Sequence, residues 1–505
     1  MDSSLLHQFS EANQWCAIAP EVFLGCLALA LLVLEMLLPK RLHEHIPCAA
    51  IAGLLAALIA LATGLGAPPE RGAEAFGGLL AQGKVSQLMR GFFLLTGVLV
   101  SVLGIVALRR QRMPRTEFFH IVLVVTAALM LLAQSNHFVM LFVALETVTV
   151  GFYILVSYTR TNPLSLEAGL KYLVTGALSS GLLLFGIALL YGAVGAVAGE
   201  DGRMHTGFEF ATLNRFLLAN PGDLLARTGV VLVLSGVAFK IGAFPFQIWV
   251  PDVYQGAPTP VTAFLAVGSK AAGFAVLLTL IGVFGPCGGL VSTVLGLMAA
   301  ATILFGNLAA LGQRNLKRLL GLSGVAHAGY LLVAAAAMAR GELLGAGAVI
   351  FYLFAYLLAS FAVFGVMTHL AGPDDADQTL DHHAGLAKRD PFLAFVLAVG
   401  LGSLAGIPPL AGFMGKLLVL VAAARAGLWW LIAVAAVGVV LSIYYYFGWV
   451  RVAFFEEPPA ADHPQPPPAA TPVGTLAGIA LALLTAATLA LGFYQGAFGA
   501  VLGLR

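Results

Sequence analysis

Residues 228–284 place two lysines, Lys240 and Lys270, deep within two long apolar segments. A lysine at the centre of a spanning helix costs about 2.5–3.5 kcal/mol on membrane-insertion scales, so it faces a polar interior and marks an ion or proton path. Extension of the ammonium to the headgroups is the alternative, but each lysine lies roughly ten residues from both ends of its segment. Helix breakers between the segments would free backbone carbonyls at membrane depth. They are Gly242, Pro245, Pro251, Gly256, Pro258 and Pro260. The stretch therefore predicts a membrane protein that moves protons.

Composition supports a membrane location. Of 505 residues, 60% are hydrophobic and 10% are charged, whereas about 25% are charged in an average soluble protein. A net charge of +2 without a basic patch argues against nucleic-acid binding. Apolar runs of about 20 residues can cross the hydrocarbon core, and they predict an all-α polytopic fold with about 14 transmembrane helices. The predicted spans are 17–38, 46–66, 86–108, 117–133, 137–158, 167–191, 228–249, 261–284, 288–311, 314–338, 343–370, 391–424, 428–455 and 473–503.

Basic residues are concentrated in the loops after odd-numbered spans, such as Lys40 and Arg41 after the first. Because cytoplasmic loops carry an excess of lysine and arginine, we expect these loops to be cytoplasmic and both termini to be periplasmic. The amino terminus lacks the basic segment of a cleaved signal, which favours a retained first helix. The stretches 373–390 and 456–472 have the composition of solvated cytoplasmic loops.

Spans 4–8 and 9–13 follow the same plan, since each set has five segments and a fourth member interrupted by glycine and proline. An odd number of helices per copy reverses the topology of the second copy, as in inverted-repeat transporters. We therefore predict two inverted five-helix repeats with broken helices at spans 7 and 12. The predicted domains are an N-terminal three-helix segment (1–115), the first repeat (116–286), the second repeat (287–455), and a Pro-rich loop with a C-terminal helix (456–505).

Five ionisable residues lie deep within these ten predicted spans. Glu146 and Lys240 form the first candidate couple, because a change in the separation of a buried carboxylate and ammonium can move a proton. Lys270 and Lys416 are further candidate carriers, since buried lysine, unlike arginine, can lose its proton. His327 can titrate near neutrality, although a histidine that only bridges helices by hydrogen bonds is an open alternative.

Two further features have structural alternatives. Glu167 and Lys171 are also candidate site residues; they are four residues apart, so on a helix they share a face, and a purely structural local ion pair is the alternative. The broken helix before Lys416 can bring freed carbonyls and water to its ammonium. A kink that only improves packing, with Lys416 paired to a carboxylate of an adjacent subunit, is the alternative.

No cofactor or metal is predicted in this chain. The cysteines show neither C-x-x-C nor zinc-type spacing, and no Gly-rich phosphate loop precedes a helix. His382 and His383 lack further ligands nearby, so they are interpreted as loop residues. The cysteines are Cys16, Cys26, Cys48 and Cys287.

The central motif, GVAFKIGAFPFQIWVPDVYQGAPTPVTAFLAVGSKAAGF, resembles the antiporter-like subunits of complex I, the proton-pumping NADH:quinone oxidoreductase. LEAGLKYLVTGALSSGLLLFGIALLYG is most similar to the subunit N branch of that family. The resemblance covers about 117–451. It implies fourteen helices, ten of which form two inverted five-helix repeats, with an essential glutamate and lysine at Glu146 and Lys240. It further implies that Lys270 is the connecting lysine and that Lys416 is the exit-side residue.

The resemblance also implies a location and partners. The chain would be a multi-pass subunit of the bacterial inner membrane that contacts other membrane subunits and, through them, the NADH-oxidising peripheral arm. Flavin, iron–sulfur clusters and quinone would belong to partner subunits. A subunit of an Mrp-type sodium/proton antiporter or of a hydrogenase-linked ion pump is the alternative. A structural subunit with a vestigial channel is a third possibility, against which the costly deep charges argue.

Overall fold

Long α-helices dominate the fold. A computed structural model describes residues 14–64, 74–110, 117–198, 204–372, 375, 378–457, 473–494, 496 and 499. The helices of this part of the chain are α1 Ala19–Leu37, α2 Ile46–Ala62, α3 Lys84–Arg110, α4 Glu117–Leu132, α5 Phe138–Val156, α6 Pro163–Val194, α7 Phe210–Ala219, α8 Leu224–Ile241, α9 Val250–Gly256, α10 Thr259–Phe264, α11 Lys270–Val283, α12 Gly288–Ala310, α13 Leu316–Ala339, α14 Leu344–Leu370, α15 Leu386–Arg389, α16 Pro391–Ala405, α17 Ala411–Arg425, α18 Trp429–Phe455 and α19 Thr475–Phe493.

Short elements connect these helices. Two antiparallel ribbons are formed by β1 with β2 and by β3 with β4. Their strands are β1 Glu74–Ala75, β2 Leu80–Ala81, β3 Ala196–Ala198 and β4 Met204–Thr206. The 3₁₀ helices are Trp15–Ile18, Lys40–His45, Gly285–Cys287 and Leu380–His383, and a π-helical turn covers Leu265–Ser269.

Twelve helical stretches in the described part of the chain are long and apolar enough to cross a membrane. Two shorter apolar helices, α4 and α16, accompany them. These elements follow the predicted spans in order, so the all-α polytopic fold is confirmed. The number of membrane crossings and the inverted repeats remain predictions.

The interior of the bundle is built around α13. Helices α13 and α14 and the stretch Thr259–Val283 are almost completely enclosed by protein, whereas α1, α2 and α18 expose apolar side chains. Glycines allow α12 and α13 to approach closely. A Cβ at Gly306 would lie 2.8 Å from the carbonyl oxygen of Leu322, and a Cβ at Gly329 would lie 2.8 Å from the amide nitrogen of Ile303. Small residues of this kind allow membrane helices to pack by backbone contact.

The predicted seventh span is broken as its glycine and prolines indicate. Helix α8 ends at Ile241 because Gly242 adopts the left-handed conformation, with φ 75° and ψ 34°. The chain then runs without regular helix until α9 begins at Val250. Lys240 therefore lies in the last turn of α8 rather than near the middle of a continuous helix, which corrects the predicted position. It is nevertheless buried within the protein.

The twelfth span is broken in the same way. Helix α16 ends at Ala405, and Gly406 follows in the left-handed conformation with φ 85° and ψ 46°. Helix α17 begins at Ala411 and carries Lys416. In both breaks a left-handed glycine ends the first half-helix and leaves its last carbonyls without helical donors.

One interruption was not predicted. A π-helical turn over Leu265–Ser269 separates α10 from α11 immediately before Lys270. The turn contains Gly268 but no proline, and this single glycine did not indicate an interruption. Turns of this type occur mostly as local bulges and often at functional sites.

The predicted solvated loop at 373–390 is only partly correct. Asp375 and His383 are buried, and the Nε1 atom of Trp449 donates a 3.2 Å hydrogen bond to Nδ1 of His383. Burial lowers the pKa of His383 to about 3, assisted by His382 and Arg389. Composition could not show this, because the residues are covered by distant helices. Most of the Pro-rich stretch 456–472 lies outside the described residues.

Candidate functional site

Lys240 is held by a hydroxyl group. Its Nζ atom donates a 2.5 Å hydrogen bond to Oγ1 of Thr149 on α5 and lies 5.6 Å from the centroid of the Phe239 ring. Thr149 itself donates to the carbonyl oxygen of Leu145 at 2.7 Å. The ammonium is thus buried with a neutral acceptor and an aromatic neighbour.

Glu146 is close to Lys240 but does not form an ion pair with it. The carboxylate accepts a 2.5 Å hydrogen bond from Ser180 on α6. No carboxylate lies within 4.0 Å of Lys240 among the described residues, so direct approach of the predicted couple is not observed. Glu146 and His120 instead line a groove of about 610 Å³ at the side of the bundle. Glu146 and Lys240 therefore bind different hydroxyl groups, that of Ser180 on α6 and that of Thr149 on α5.

Lys270 contacts the central helix α13. Its ammonium donates to the carbonyl oxygen of Gly324 and, at 3.4 Å, to the hydroxyl of Tyr356. It also lies 4.7 Å from the centroid of the Tyr356 ring. A Cβ at position 324 would lie 3.0 Å from the Lys270 Nζ atom, so glycine provides the space for this contact.

His327 is clamped between two tyrosine hydroxyls. Its Nδ1 atom lies 2.7 Å from the hydroxyl of Tyr352, and its Nε2 atom lies 3.1 Å from that of Tyr446. A neutral imidazole has one donor and one acceptor nitrogen, and hydroxyl groups can serve either. Both tautomers are therefore satisfied without a change in ring position. The predicted alternative, a histidine that bridges helices, describes the geometry but does not exclude proton transfer.

Lys416 lies at the end of the preceding half-helix. Its Nζ atom donates to the carbonyl oxygens of Leu404 at 3.0 Å and Ala405 at 2.8 Å, and it lies 5.2 Å from the centroid of the Tyr330 ring. These carbonyls are the acceptors that the break after α16 leaves free, and a cation there is favoured by the helix dipole. The predicted freed carbonyls are therefore present. Lys416 is 5% exposed, and its pairing with a carboxylate of an adjacent subunit stays the alternative prediction.

One face of α13 connects three candidate groups. Gly324 accepts from Lys270, His327 carries the imidazole, and Tyr330 contacts Lys416. These α13 residues are spaced by three, so they follow one side of the helix. Six residues of α-helix correspond to about 9 Å. The buried helix α13 thus connects Lys270, in the predicted first repeat, to Lys416, in the predicted second repeat.

Glu167 and Lys171 form the predicted pair but lie outside this buried line. Lys171 Nζ is 2.7 Å from Oε1 of Glu167 and 2.6 Å from Oδ2 of Asp252. Arg318 approaches the other oxygen of Asp252 at 2.6 Å. The Lys171 side chain is 43% exposed. The network thus links helices α6, α9 and α13 at the surface of the bundle.

The uncharged and distant partners of the candidate residues were not predicted from the sequence. The tyrosines around His327 are buried in apolar helices, and Tyr352 and Tyr356 are four residues apart, which is a detectable signal for two polar groups on one buried face. Asp252 and Arg318 carried no such signal, because their contacts join distant parts of the chain. Among the described residues no group of three or more histidine, cysteine, aspartate or glutamate side chains could hold a metal ion.

These features define a polytopic helical membrane protein with a buried line of lysines and a histidine. Residues 135–442 match the family described as NADH:quinone oxidoreductase/Mrp antiporter, transmembrane. The chain belongs to this family.

Comparison with individual relatives supports this family membership. The chain is 62% identical to "NADH-quinone oxidoreductase subunit N 1" of Opitutus terrae, with 100% of both chains covered. It is 34% identical to a chain of respiratory complex I from Thermus thermophilus with bound aureothin, with a TM-score of 0.77 and coverage of 94% of this chain and 97% of that one. A chain of the Mrp complex from Dietzia shares the fold, with a TM-score of 0.79 and 22% sequence identity. The alignment covers 96% of this chain and 96% of that one.

Proposed function

We propose that this chain is the proton-translocating membrane subunit of an NADH:quinone oxidoreductase, and that protons pass along Lys240, Lys270, His327 and Lys416, with Glu146 as an electrostatic partner. The observation that carries the proposal is the single face of α13 that contacts Lys270, holds His327 and touches Lys416. Quinone reduction by electrons from NADH takes place in other subunits and drives these transfers.

The lysines have the partners that a proton carrier requires. Lys240, Lys270 and Lys416 are bound by hydroxyl and carbonyl oxygens and aromatic faces, and no described carboxylate forms an ion pair with them. An ammonium held by neutral acceptors can release its proton, whereas one locked to a carboxylate is stabilised in the charged form. The buried pair Arg90–Glu21, at 2.7 Å, shows the opposite arrangement. That pair fits a structural role.

His327 can pass a proton without moving. When one ring nitrogen accepts a proton, the other can donate its own, and the two tyrosine hydroxyls keep both nitrogens hydrogen-bonded before and after the step. Water molecules would complete the gaps between Lys270, His327 and Lys416. The histidine is therefore the proposed link between the two halves of the chain.

The surface network contributes a separate element. Glu167 and Lys171 bind the short helix α9 through Asp252, and α9 lies directly after the break that follows Lys240. We infer that this pair holds α9 in place and so supports the site from its edge. It is not part of the buried proton line.

Topology and partners complete the proposal. The basic loops would be cytoplasmic and both termini periplasmic, in the inner membrane of a bacterium, so that Lys416 lies toward the periplasmic exit. The two inverted repeats would comprise 116–286 and 287–455, between the N-terminal segment 1–115 and the C-terminal part 456–505. Flavin, iron–sulfur clusters and quinone would be bound by partner subunits, which contact this chain and the peripheral arm.

An Mrp-type sodium/proton antiporter subunit or a hydrogenase-linked ion pump is the competing function, and the fold is shared with the Mrp complex. The complex should be purified from its native membrane through a tag on this chain, followed by assays for flavin, iron–sulfur clusters and NADH:quinone activity. All three should co-purify. Their absence, together with sodium-dependent proton exchange in vesicles, would replace this proposal with the antiporter.

A further inference from the structure

Lys317 and Asp375 form a buried contact that lies outside the proposed proton line. Lys317 is the second residue of α13, and its side chain is fully buried. Its Nζ atom donates to the carbonyl oxygen of Ala257 at 2.6 Å, to that of Asp375 at 3.1 Å, and to Oδ2 of Asp375 at 3.3 Å. The lysine therefore joins the start of α13 to the connection that precedes α10.

Asp375 caps the helical stretch that carries Lys270. Its Oδ2 atom accepts from the amide of Thr259 at 2.6 Å, and its Oδ1 atom accepts from the Thr259 hydroxyl at 2.7 Å. Gln378 donates to the same Oδ1 atom at 2.6 Å. A carboxylate at this position satisfies the free amide of Thr259 at the helix start and is favoured by the helix dipole.

The two helices joined by this contact meet again at the functional site. The stretch that begins at Thr259 carries Lys270, and α13 carries Gly324 and His327. Lys270 contacts Gly324 farther along the same pair of helices. An axial or rotational shift at the clamped ends would therefore move the Lys270 ammonium relative to the α13 face on which His327 lies.

A buried ion pair is a costly way to join two helices. Its desolvation often exceeds its attraction, so apolar residues of similar volume can be as stable or more stable. The adjacent residue, Arg318, reaches Asp252 with a side chain that is 30% exposed. Lys317 and Asp375, at 0% and 10%, are much less accessible. Their directional contacts fix a relative position, which an apolar contact does less well.

We propose that Lys317 and Asp375 act as a clamp that positions the Lys270 helix against α13 for proton transfer between Lys270 and His327. Both are positioning residues, since neither touches the proton line. The inference rests on the proposed function, because it concerns the efficiency of one step in it.

The test measures protons translocated per electron in native membrane vesicles that contain the assembled complex. Asp375→Ala removes the cap and the partner of Lys317, and it should lower this ratio at least about twofold, because small displacements strongly impair transfer between positioned groups. Asp375→Asn keeps an acceptor for Thr259 but loses the charge, so its ratio should fall between those of Asp375→Ala and the wild type. If Asp375→Ala yields too little complex, Asp375→Asn decides.

Glu21→Gln is the matched control. It disrupts another buried ion pair, with Arg90 of α3, whose partners include Glu21, Gln87 and Ala17. A general loss of stability would lower the amount of complex in both variants and leave the ratio unchanged. A lower ratio in the Asp375 variants together with a normal ratio in Glu21→Gln is the expected result.

A double variant separates the two proposals. If the clamp acts through Lys270, Asp375→Ala should not lower the ratio further in a Lys270→Ala background. A normal ratio in both Asp375 variants would overturn the clamp while leaving the proton line intact. A normal ratio in Lys270→Ala alone would overturn the proposed proton line through Lys270, His327 and Lys416.

Discussion

The Nδ1 atom of His327 lies 2.7 Å from the hydroxyl oxygen of Tyr352, and this contact fixes one side of a buried imidazole. The two residues are on adjacent buried helices, α13 and α14, and Tyr446 holds the other ring nitrogen. A histidine with both nitrogens bound to hydroxyls can change tautomer without losing a hydrogen bond.

Tyr352→Phe should impair pumping more than stability. The change removes one hydroxyl and leaves Nδ1 of His327 without its partner, which costs about 1–3 kcal/mol when the group stays buried. We expect assembled complex with fewer protons translocated per electron. Tyr444→Phe is the control, because Tyr444 is 72% exposed. Equal ratios in the two variants would show that the Tyr352 hydroxyl has no part in transfer.

Glu146→Gln should reduce pumping while the complex assembles. The amide retains an acceptor for the Ser180 hydroxyl, so the hydrogen bond seen at 2.5 Å can persist. The negative charge that acts on the nearby Lys240 ammonium is lost. Thr147→Val changes the wall of the same groove without removing a charge and should leave pumping unchanged. Pumping at the wild-type ratio in Glu146→Gln would exclude an electrostatic role for this carboxylate.

Lys416→Gln separates hydrogen bonding from proton transfer. Glutamine can donate to the carbonyl oxygens of Leu404 and Ala405, which now bind Lys416, but it cannot carry a proton. We expect assembly to be closer to the wild type than in Lys416→Ala, and pumping to be low in both. Restoration of the proton-to-electron ratio by glutamine would assign Lys416 a purely structural role.

His383 should make the segment 380–389 sensitive to acid. Its pKa is about 3 in the folded chain because burial disfavours the charged form, and protonation of Nδ1 would remove the acceptor used by Trp449. The folded pKa is below the unfolded value of about 6.5. This contribution is therefore complete above pH 6.5 and weakens by about 1.4 kcal/mol per pH unit below it.

Hydrogen exchange of this segment should therefore report faster opening at pH 5 than at pH 7.5, after correction for intrinsic rates. The pH difference should disappear in His383→Gln. If it is the same in the variant, the acid sensitivity arises elsewhere.

Local chemistry explains which features could be predicted from the sequence. The spans follow from apolar runs of sufficient length, and the two breaks follow from glycine and proline near Lys240 and Lys416. Both effects act within one helix or turn. The depth of Lys270 and His327 could be predicted for the same reason.

Contacts between distant residues explain what the sequence could not provide. Lys317 and Asp375 are separated by 58 residues, and Lys240 and Thr149 by 91. No periodicity relates such positions. The separate hydroxyl partners of Glu146 and Lys240 and the burial of His383 also depend on which helices become neighbours. The deep positions of the two opposite charges therefore indicated a direct couple, and composition indicated a solvated loop.

The most direct test of the proton line is the number of protons translocated per electron by Lys270→Ala in sealed native membrane vesicles. NADH oxidation by an inhibitor-sensitive, assembled complex serves as the internal reference, and the exposed Lys388→Ala serves as a control for loss of a lysine. A marked decrease in the ratio for Lys270→Ala, with no change for Lys388→Ala, is the predicted result. A wild-type ratio in Lys270→Ala would contradict transfer through the line that joins Lys270, His327 and Lys416.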